Sequence, residues 1–240
     1  KRNRLIFYLL MGLLIPIIIS SYILFDLEEI DNGKIDVMII QPNVDPYIDK
    51  FSQGYQQQLI NLIDLAEANL TQETQLLLAP ETALLEAIWE DEINKTYSLK
   101  AFKSLQKKFP NLNVLTGSNT YKIFKDGEQI TNTARKIRDE NVFYDVYNSA
   151  VFIPANGNVQ FYHKTKLVPG VEKMPFPYIL DPLAKLAVDL GGTSGSLGST
   201  NQLNSFLVNK TIVSPLICYE SVYGDMRLGQ TNLLAIITND

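Results

Sequence analysis

Residues 147–163 read YNSAVFIPANGNVQFYH, two β-rich runs separated by a turn. Tyr147–Ile153 and Val159–His163 flank Asn156-Gly157, the dipeptide that most favours a tight hairpin turn because both central positions adopt positive φ at little cost. An antiparallel pair is therefore expected at the middle of the chain. Upstream, residues 35–40 (IDVMII) read as a buried strand stopped by Gln41-Pro42-Asn43, and Leu76–Ala79 as a second, cut by Pro80. Between them Tyr55, Leu59, Leu62, Ile63, Ala66 and Leu70 recur at helical spacing and would cover one sheet face. A second helix is expected over residues 94–109, ended by Pro110, and a third strand over Val114–Gly117. Downstream, Ser205–Val208 and Thr211–Cys218 form another expected pair around Asn209-Lys210, with a last strand over Leu233–Thr238. Strands alternating with amphipathic helices make an α/β domain with mixed sheets and helices outside.

The beginning of the chain is of another kind. Leu5–Phe25 carries no charge, and its 21 residues at about 1.5 Å each span about 31 Å, the thickness of a bilayer hydrocarbon core. Pro16 is tolerated in a membrane helix when neighbours satisfy the freed carbonyl. The run is longer than the apolar part of a signal peptide and no small-residue cleavage pattern follows it. Lys1, Arg2 and Arg4 precede the run while Asp26, Glu28, Glu29 and Asp31 follow it. The positive-inside rule then puts the start of the chain in the cytoplasm and the rest on the periplasmic side of a bacterial inner membrane. Opening on Lys1 and closing on a strand end, the chain reads as a piece of a longer protein.

Composition narrows the function classes. A formal charge of −5 and 46% hydrophobic residues leave no basic stripe for nucleic acid and ample material for a packed core. One cysteine, Cys218, excludes an internal disulfide framework, and one histidine, His163, excludes a zinc site built from several Cys and His ligands. Neither a phosphate-binding GK[ST] loop nor a G-x-S-x-G elbow occurs. The connection Lys166–Asn204, with four prolines and a Gly/Ser-rich run over residues 191–200, is long enough to suggest a functional loop.

Chemistry-bearing residues stand where strands end. Glu81 follows a buried strand and a proline in LLLAPET; a carboxylate there is partly desolvated and accepts protons more readily, unless it merely opposes a helix dipole. Cys218 closes the run VSPLIC before Tyr219-Glu220, a corner where helix N–H groups would lower a thiol pKa and hold an oxyanion; an inert buried cysteine is the alternative. Lys164 follows the hairpin in FYHKTKLVPGVEKMP, either as a solvated edge charge or as an ammonium near a thiolate. Lys166 lies on the same face, and pattern alone leaves both open. His163 alternates with Lys164 and faces the other side, which suits a structural role.

These motifs, in this order, resemble the Glu-Lys-Cys triad of the nitrilase superfamily. Within it, APETAL, LVPGVEKMPF and PLICYESVYGD are most similar to the apolipoprotein N-acyltransferases, over residues 35–240. The resemblance implies a nitrilase-like αββα sandwich preceded by one transmembrane helix: 1–25 the cytoplasmic flank and helix, 26–34 a linker, 35–240 the catalytic domain, incomplete at its C-terminus. It implies Glu81 as general base, Lys164 rather than Lys166 as the oxyanion-stabilising lysine, and Cys218 as nucleophile. Glu172 is then the second glutamate near the triad, with Tyr219 and Glu220 supporting the nucleophile. That family's tryptophan shortly after the first strand has no counterpart; Tyr47 and Phe51 stand there, and the only tryptophan is Trp89. The implied partners are a phospholipid acyl donor, an apolipoprotein acceptor with a diacylglyceryl-cysteine N-terminus, and the membrane; no metal or organic cofactor is needed. Val171, Met174, Phe176 and Tyr178 would guard a lipid entrance. A membrane-tethered amidase with the same triad, or an inactive nitrilase-like binding module, are the alternatives.

Overall fold

The computed structural model describes residues 2–26, 33–43, 54–137, 140–173, 196–226 and 229–239. The chain divides into two units, Lys1–Gly33 and Lys34–Asp240. The first holds α1 (Arg2–Asp26), a helix long and apolar enough to cross a membrane, with its apolar side chains exposed along its length. Such a surface is stable in lipid and costly in water.

The second unit is mixed α/β. Its larger sheet contains β1 (Val37–Ile39), β2 (Leu76–Leu78), β3 (Leu84–Trp89), β4 (Asn113–Ile123), β5 (Arg135–Lys136), β6 (Phe143–Ile153) and β7 (Gln160–His163). The order is β1-β2-β4-β6-β5, with β3 also on β4 and β7 also on β6. β1, β2 and β4 run parallel, which requires a crossover between each pair. α2 (Tyr55–Asn69) and α3 (Tyr97–Lys108) supply them. α2 buries Leu59, Leu62 and Ala66 and α3 buries Leu99, Phe102 and Leu105 against Leu77, Val114 and Val151 of the sheet. Thr96 caps α3 by accepting from Leu99 N at 3.2 Å, and two lysines in its last turn oppose the macrodipole.

The smaller sheet, β10-β9-β8, is built from β8 (Phe206–Val208), β9 (Thr211–Ile217) and β10 (Leu233–Ile237). Its inward residues Phe206, Val213, Ile217 and Ala235 meet Leu115, Ala150, Phe152 and Tyr162 of the larger sheet, so the two sheets pack face to face. Phe152 and Phe206 stack at 4.7 Å across that interface. The described residues thus form helix, sheet and sheet layers. Leu207, Leu234 and Ile236 are exposed on the outer face of the smaller sheet, and the fourth, helical layer of the expected sandwich is not among the described residues.

Both expected hairpins are present as β6–β7 and β8–β9, with Gly157 at φ +100° and Asn209 at φ +55° in their turns. Three expectations need correction. The third strand runs on from Gly117 to Ile123, because Ser118 and Thr120 satisfy their hydroxyls on Leu84 O and Ser149 Oγ inside the sheet. β3 was not expected, and the second helix starts later, after a 3₁₀ turn over Glu90–Lys95.

Candidate active site

The site gathers where strands of both sheets end. Pro80 cannot donate to the ladder, so the chain leaves the sheet after β2 and turns at Glu81 and Thr82. Gly117 N donates to Pro80 O at 2.9 Å, and the corner lies so close to β4 that a Cβ on Gly117 would come within 1.8 Å of Glu81 O. Glycine is required there for the approach itself. The Glu81 side chain turns inward and is buried.

Lys164 follows β7 directly and its side chain is 1% exposed. Its Nζ donates to Glu172 Oε1 at 3.0 Å and to Glu81 Oε1 at 3.4 Å. Burial alone would lower the ammonium pKa; the hydrogen bond it donates to Glu172 and the charges of Glu81, Glu172 and Cys218 outweigh it and hold the pKa above 10.5. Lys164 is thus a fixed cation. Lys166 is separated from it physically: half-exposed, its Nζ lies 3.3 Å from Asp225 Oδ2 and over the Tyr223 ring. His163 takes the opposite face, with Nε2 2.5 Å from Glu90 Oε1 and its ring stacked on Tyr147 at 4.0 Å.

Glu172 is held by its own turn as well, Val168 N donating to its Oε2 at 2.8 Å. The end of the long connection returns to the same place, where Leu197 N donates to Glu172 O and Gly198 N to Val146 O, each at 2.8 Å. Val171 in that turn is exposed; Met174, Phe176 and Tyr178 lie outside the described residues, as do Tyr47 and Phe51. Trp89 packs with Tyr121 and Tyr144, ring centroids 5.1 and 5.2 Å away.

Cys218 stands immediately after β9 with φ +49°, in the left-handed region that costs a non-glycine residue about 1–2 kcal/mol. A short 3₁₀ turn, Cys218–Val222, follows instead of the α-helix that the expected corner called for. The corner is fixed by Glu220, which is fully buried. Its carboxylate accepts from Ile217 N at 2.9 Å, Thr165 N at 2.7 Å, Lys166 N at 3.2 Å, Thr165 Oγ1 at 2.8 Å and Tyr162 Oη at 2.8 Å. One carboxylate therefore ties the residue before Cys218 to the residue after Lys164. Burial and the Glu220 charge push the Tyr162 hydroxyl well above its usual pKa, so it stays a donor. Tyr219 is exposed and packs edge-on against Tyr223 at 5.3 Å.

Two asparagines escaped the sequence reading. Asn148 Nδ2 donates to Glu81 Oε1 and to Glu172 Oε1, both at 2.7 Å. Asn239, just beyond β10, accepts from Thr82 N at 3.1 Å and donates to Thr82 Oγ1 at 2.9 Å and Glu81 Oε2 at 3.5 Å. Since Ile237 pairs with Ile217, Asn239 brings the Cys218 end of the smaller sheet to the Glu81 corner of the larger one. The polar residues Asp145, Asn148 and Ser149 inside a strand that is otherwise rich in β-formers were the one signal that could have found Asn148. Beside this corner a groove of about 850 Å³ opens, bordered by Pro80, Thr82 and Asn239 and lined further by Ile39, Leu78 and Ile237; neither Lys164 nor Cys218 lines it. Among the described residues no group of three His, Cys, Asp or Glu side chains is placed to hold a metal.

The architecture matches solved proteins. A carbon-nitrogen hydrolase from Helicobacter pylori superposes with a TM-score of 0.52 at 11% identity, over 85% of this chain and 59% of that one. A variant of the Nesterenkonia amidase of the nitrilase superfamily gives 0.51 at 13% identity, over 86% and 66%. The fold is the carbon-nitrogen hydrolase fold. In sequence, this hydrolase-fold chain is similar to two curated apolipoprotein N-acyltransferases. One, from Chlorobaculum tepidum, is 28% identical over 221 residues, 86% of this chain and 40% of the relative. The other, from Rickettsia prowazekii, is 28% identical over 207 residues, 85% and 36%. The chain therefore spans about two fifths of the length of these relatives. No protein-family model matches it.

Proposed function

We propose that the protein containing this chain is an apolipoprotein N-acyltransferase that carries an acyl group on Cys218. The observation that supports it most is the buried assembly of Glu81, Lys164 and Glu172, joined through Glu220 to the strained Cys218 corner. Likeness to two acyltransferases and an apolar helix ahead of the domain agree with it.

In this reading Glu81 takes the Cys218 proton and the thiolate attacks an ester carbonyl of a membrane phospholipid. Lys164 and backbone N–H groups offset the charge developing on the carbonyl oxygen, where preorganised donors are worth most. Collapse breaks the ester C–O bond; the leaving alkoxide takes the proton from Glu81 and departs as a lysophospholipid, leaving a thioester on Cys218. The α-amino group of a diacylglyceryl-cysteine lipoprotein then attacks the thioester and gives its proton to Glu81. The amide forms and the thiolate is released, a two-step course with ping-pong kinetics. The α1 helix keeps the domain at the bilayer, on the periplasmic side, where both lipid substrates reside. That raises the effective concentration by geometry. Glu172 shares the Lys164 cation with Glu81, and Glu220 positions the nucleophile. Tyr219 backs the nucleophile together with Glu220, and Val171, Met174, Phe176 and Tyr178 are the proposed lipid-entrance residues.

The test supplies a synthetic diacylated lipopeptide to the full-length protein in phosphatidylethanolamine vesicles. A gain of one acyl chain on the lipopeptide, lost in Cys218→Ala, is the expected result. Hydrolysis of a small amide with the lipopeptide unchanged would transfer the reading to the tethered amidase. Neither reaction would leave the inactive binding module.

A further inference from the structure

Glu81 Oε1 and Glu172 Oε1 are served by the same two donors, Lys164 Nζ and Asn148 Nδ2. Two buried carboxylates that share donors repel one another, so each depends on those hydrogen bonds to hold its place. Lys164 supplies a single positive charge and lies nearer Glu172 (3.0 Å) than Glu81 (3.4 Å). The shorter contact to Glu81 comes from Asn148. A primary amide has two N–H bonds on one nitrogen, one for each carboxylate, without adding a charge that would weaken Glu81 as a base. Its orientation is fixed by the same contacts, since a flipped amide would set Oδ1 against two carboxylate oxygens.

The strand also accounts for the placement. Asn148 is 4% exposed on β6, opposite Asn119 on β4, and its backbone oxygen accepts from Lys164 N at 2.8 Å. Lys164 and Asn148 are thereby registered to one another through the backbone before their side chains meet the carboxylates. The groups bonded to the pair among the described residues, besides Asn148, are Lys164 beyond β7, Val168 N and the amide of Asn239 beyond β10, and the Cys218 charge acts on Lys164. Glu220 and Tyr162 lie on the same side but are bonded to each other. Asp145 and Tyr147 alternate with Asn148 and, with Glu90 and His163, belong to the opposite face.

We propose that Asn148 is a positioning residue that holds Glu81 Oε1 and Glu172 Oε1 on its two N–H bonds and so keeps Glu81 aligned for Cys218. This rests on the reading of Glu81 as the base for Cys218. Without the shared donor Glu81 Oε1 keeps only its longer contact to Lys164 and turns out of line. Asn148→Ala removes both N–H bonds, Asn148→Ser keeps one donor, and Asn148→Asp adds a third carboxylate.

The test is the rate of Cys218 alkylation by iodoacetamide between pH 5 and 9, followed by intact mass on the full-length protein in detergent. The reagent requires neither phospholipid nor amine, so its outcome is separate from that of the acyl-transfer assay. Glu81→Gln is expected to slow the wild-type rate. Asn148→Ala should slow it about tenfold in the wild-type background and leave it unchanged in the Glu81→Gln background, where the base it positions is already gone. Asn148→Ser, which keeps one donor, should fall between, and Asn148→Asp should be slowest. Should one variant fail to fold, the others order the series. An Asn148→Ala rate equal to wild type, the same loss in the Glu81→Gln background, or a wild-type rate indifferent to Glu81→Gln would overturn the proposal.

Discussion

Lys164 holds the charge balance of the site, and its environment makes a definite statement about pH. Its folded pKa lies above 10.5 while the unfolded value is 10.5, so the ion cluster contributes fully below 10.5 and is lost as pH rises through the folded value. Tyr147, pushed up to about 12 by burial and by Asp145, loses stability in the same direction above its unfolded 10.0. Wild-type stability should therefore be flat in this respect through neutral pH and decline above about pH 10. Lys164→Met leaves Glu81 and Glu172 uncompensated, which should cost about 3–5 kcal/mol at pH 7 and remove part of the alkaline decline. Urea titrations at pH 7 and pH 11 measure both, and a variant as stable as wild type with the same decline would contradict the cluster. At this scale Glu81, Lys164, Glu172, Glu220 and Cys218 were nameable because each sits at a strand end or in an ordered motif. Asn148 and Asn239 were not, since their value lies in contacts between residues 67 and 157 positions apart.

At the scale of elements, the corner after β2 depends on a single absent side chain. Gly117→Ala would set a Cβ within 1.8 Å of Glu81 O and 2.4 Å of its Cα. Those atoms are backbone and cannot rotate away, so the substitution should cost on the order of 3 kcal/mol or more, or displace the Glu81 turn. Thermal unfolding together with Cys218 alkylation distinguishes these outcomes. A variant unchanged in both would mean that the corner does not approach β4 so closely. The two hairpins were legible because their turns need positive φ and carry Gly157 or Asn209 there. β3 was not, because LLEAIW does not alternate: its register on β4 slips between Leu84 and Ile88, and the Glu86 side chain accepts from Tyr97 N and Ser98 N at the start of α3. The polar second half of β4 was hidden for a similar reason, since Ser118 and Thr120 find partners on β3, β6 and the 3₁₀ turn after β3.

In the whole molecule, mixed sheets with helices outside followed from the alternation of strands and helices and the two-sheet sandwich from the resemblance, whereas face-to-face packing of the sheets depends on pairs such as Phe152 and Phe206 that no local pattern reveals. The chain divides into its two units after Gly33. If α1 spans the bilayer with its basic end inside, a cysteine at Lys34 in a Cys218→Ala background should react with a membrane-impermeant maleimide on spheroplasts. Labelling only after lysis would reverse the orientation.

Acyl transfer through this site requires a covalent acyl group on Cys218, which intact mass spectrometry of the full-length protein from phosphatidylethanolamine membranes detects. One added acyl mass is expected on the wild type, absent from Cys218→Ala and released by hydroxylamine, which cleaves thioesters. A wild type that never carries the adduct, or a Cys218→Ala protein that still does, would contradict it.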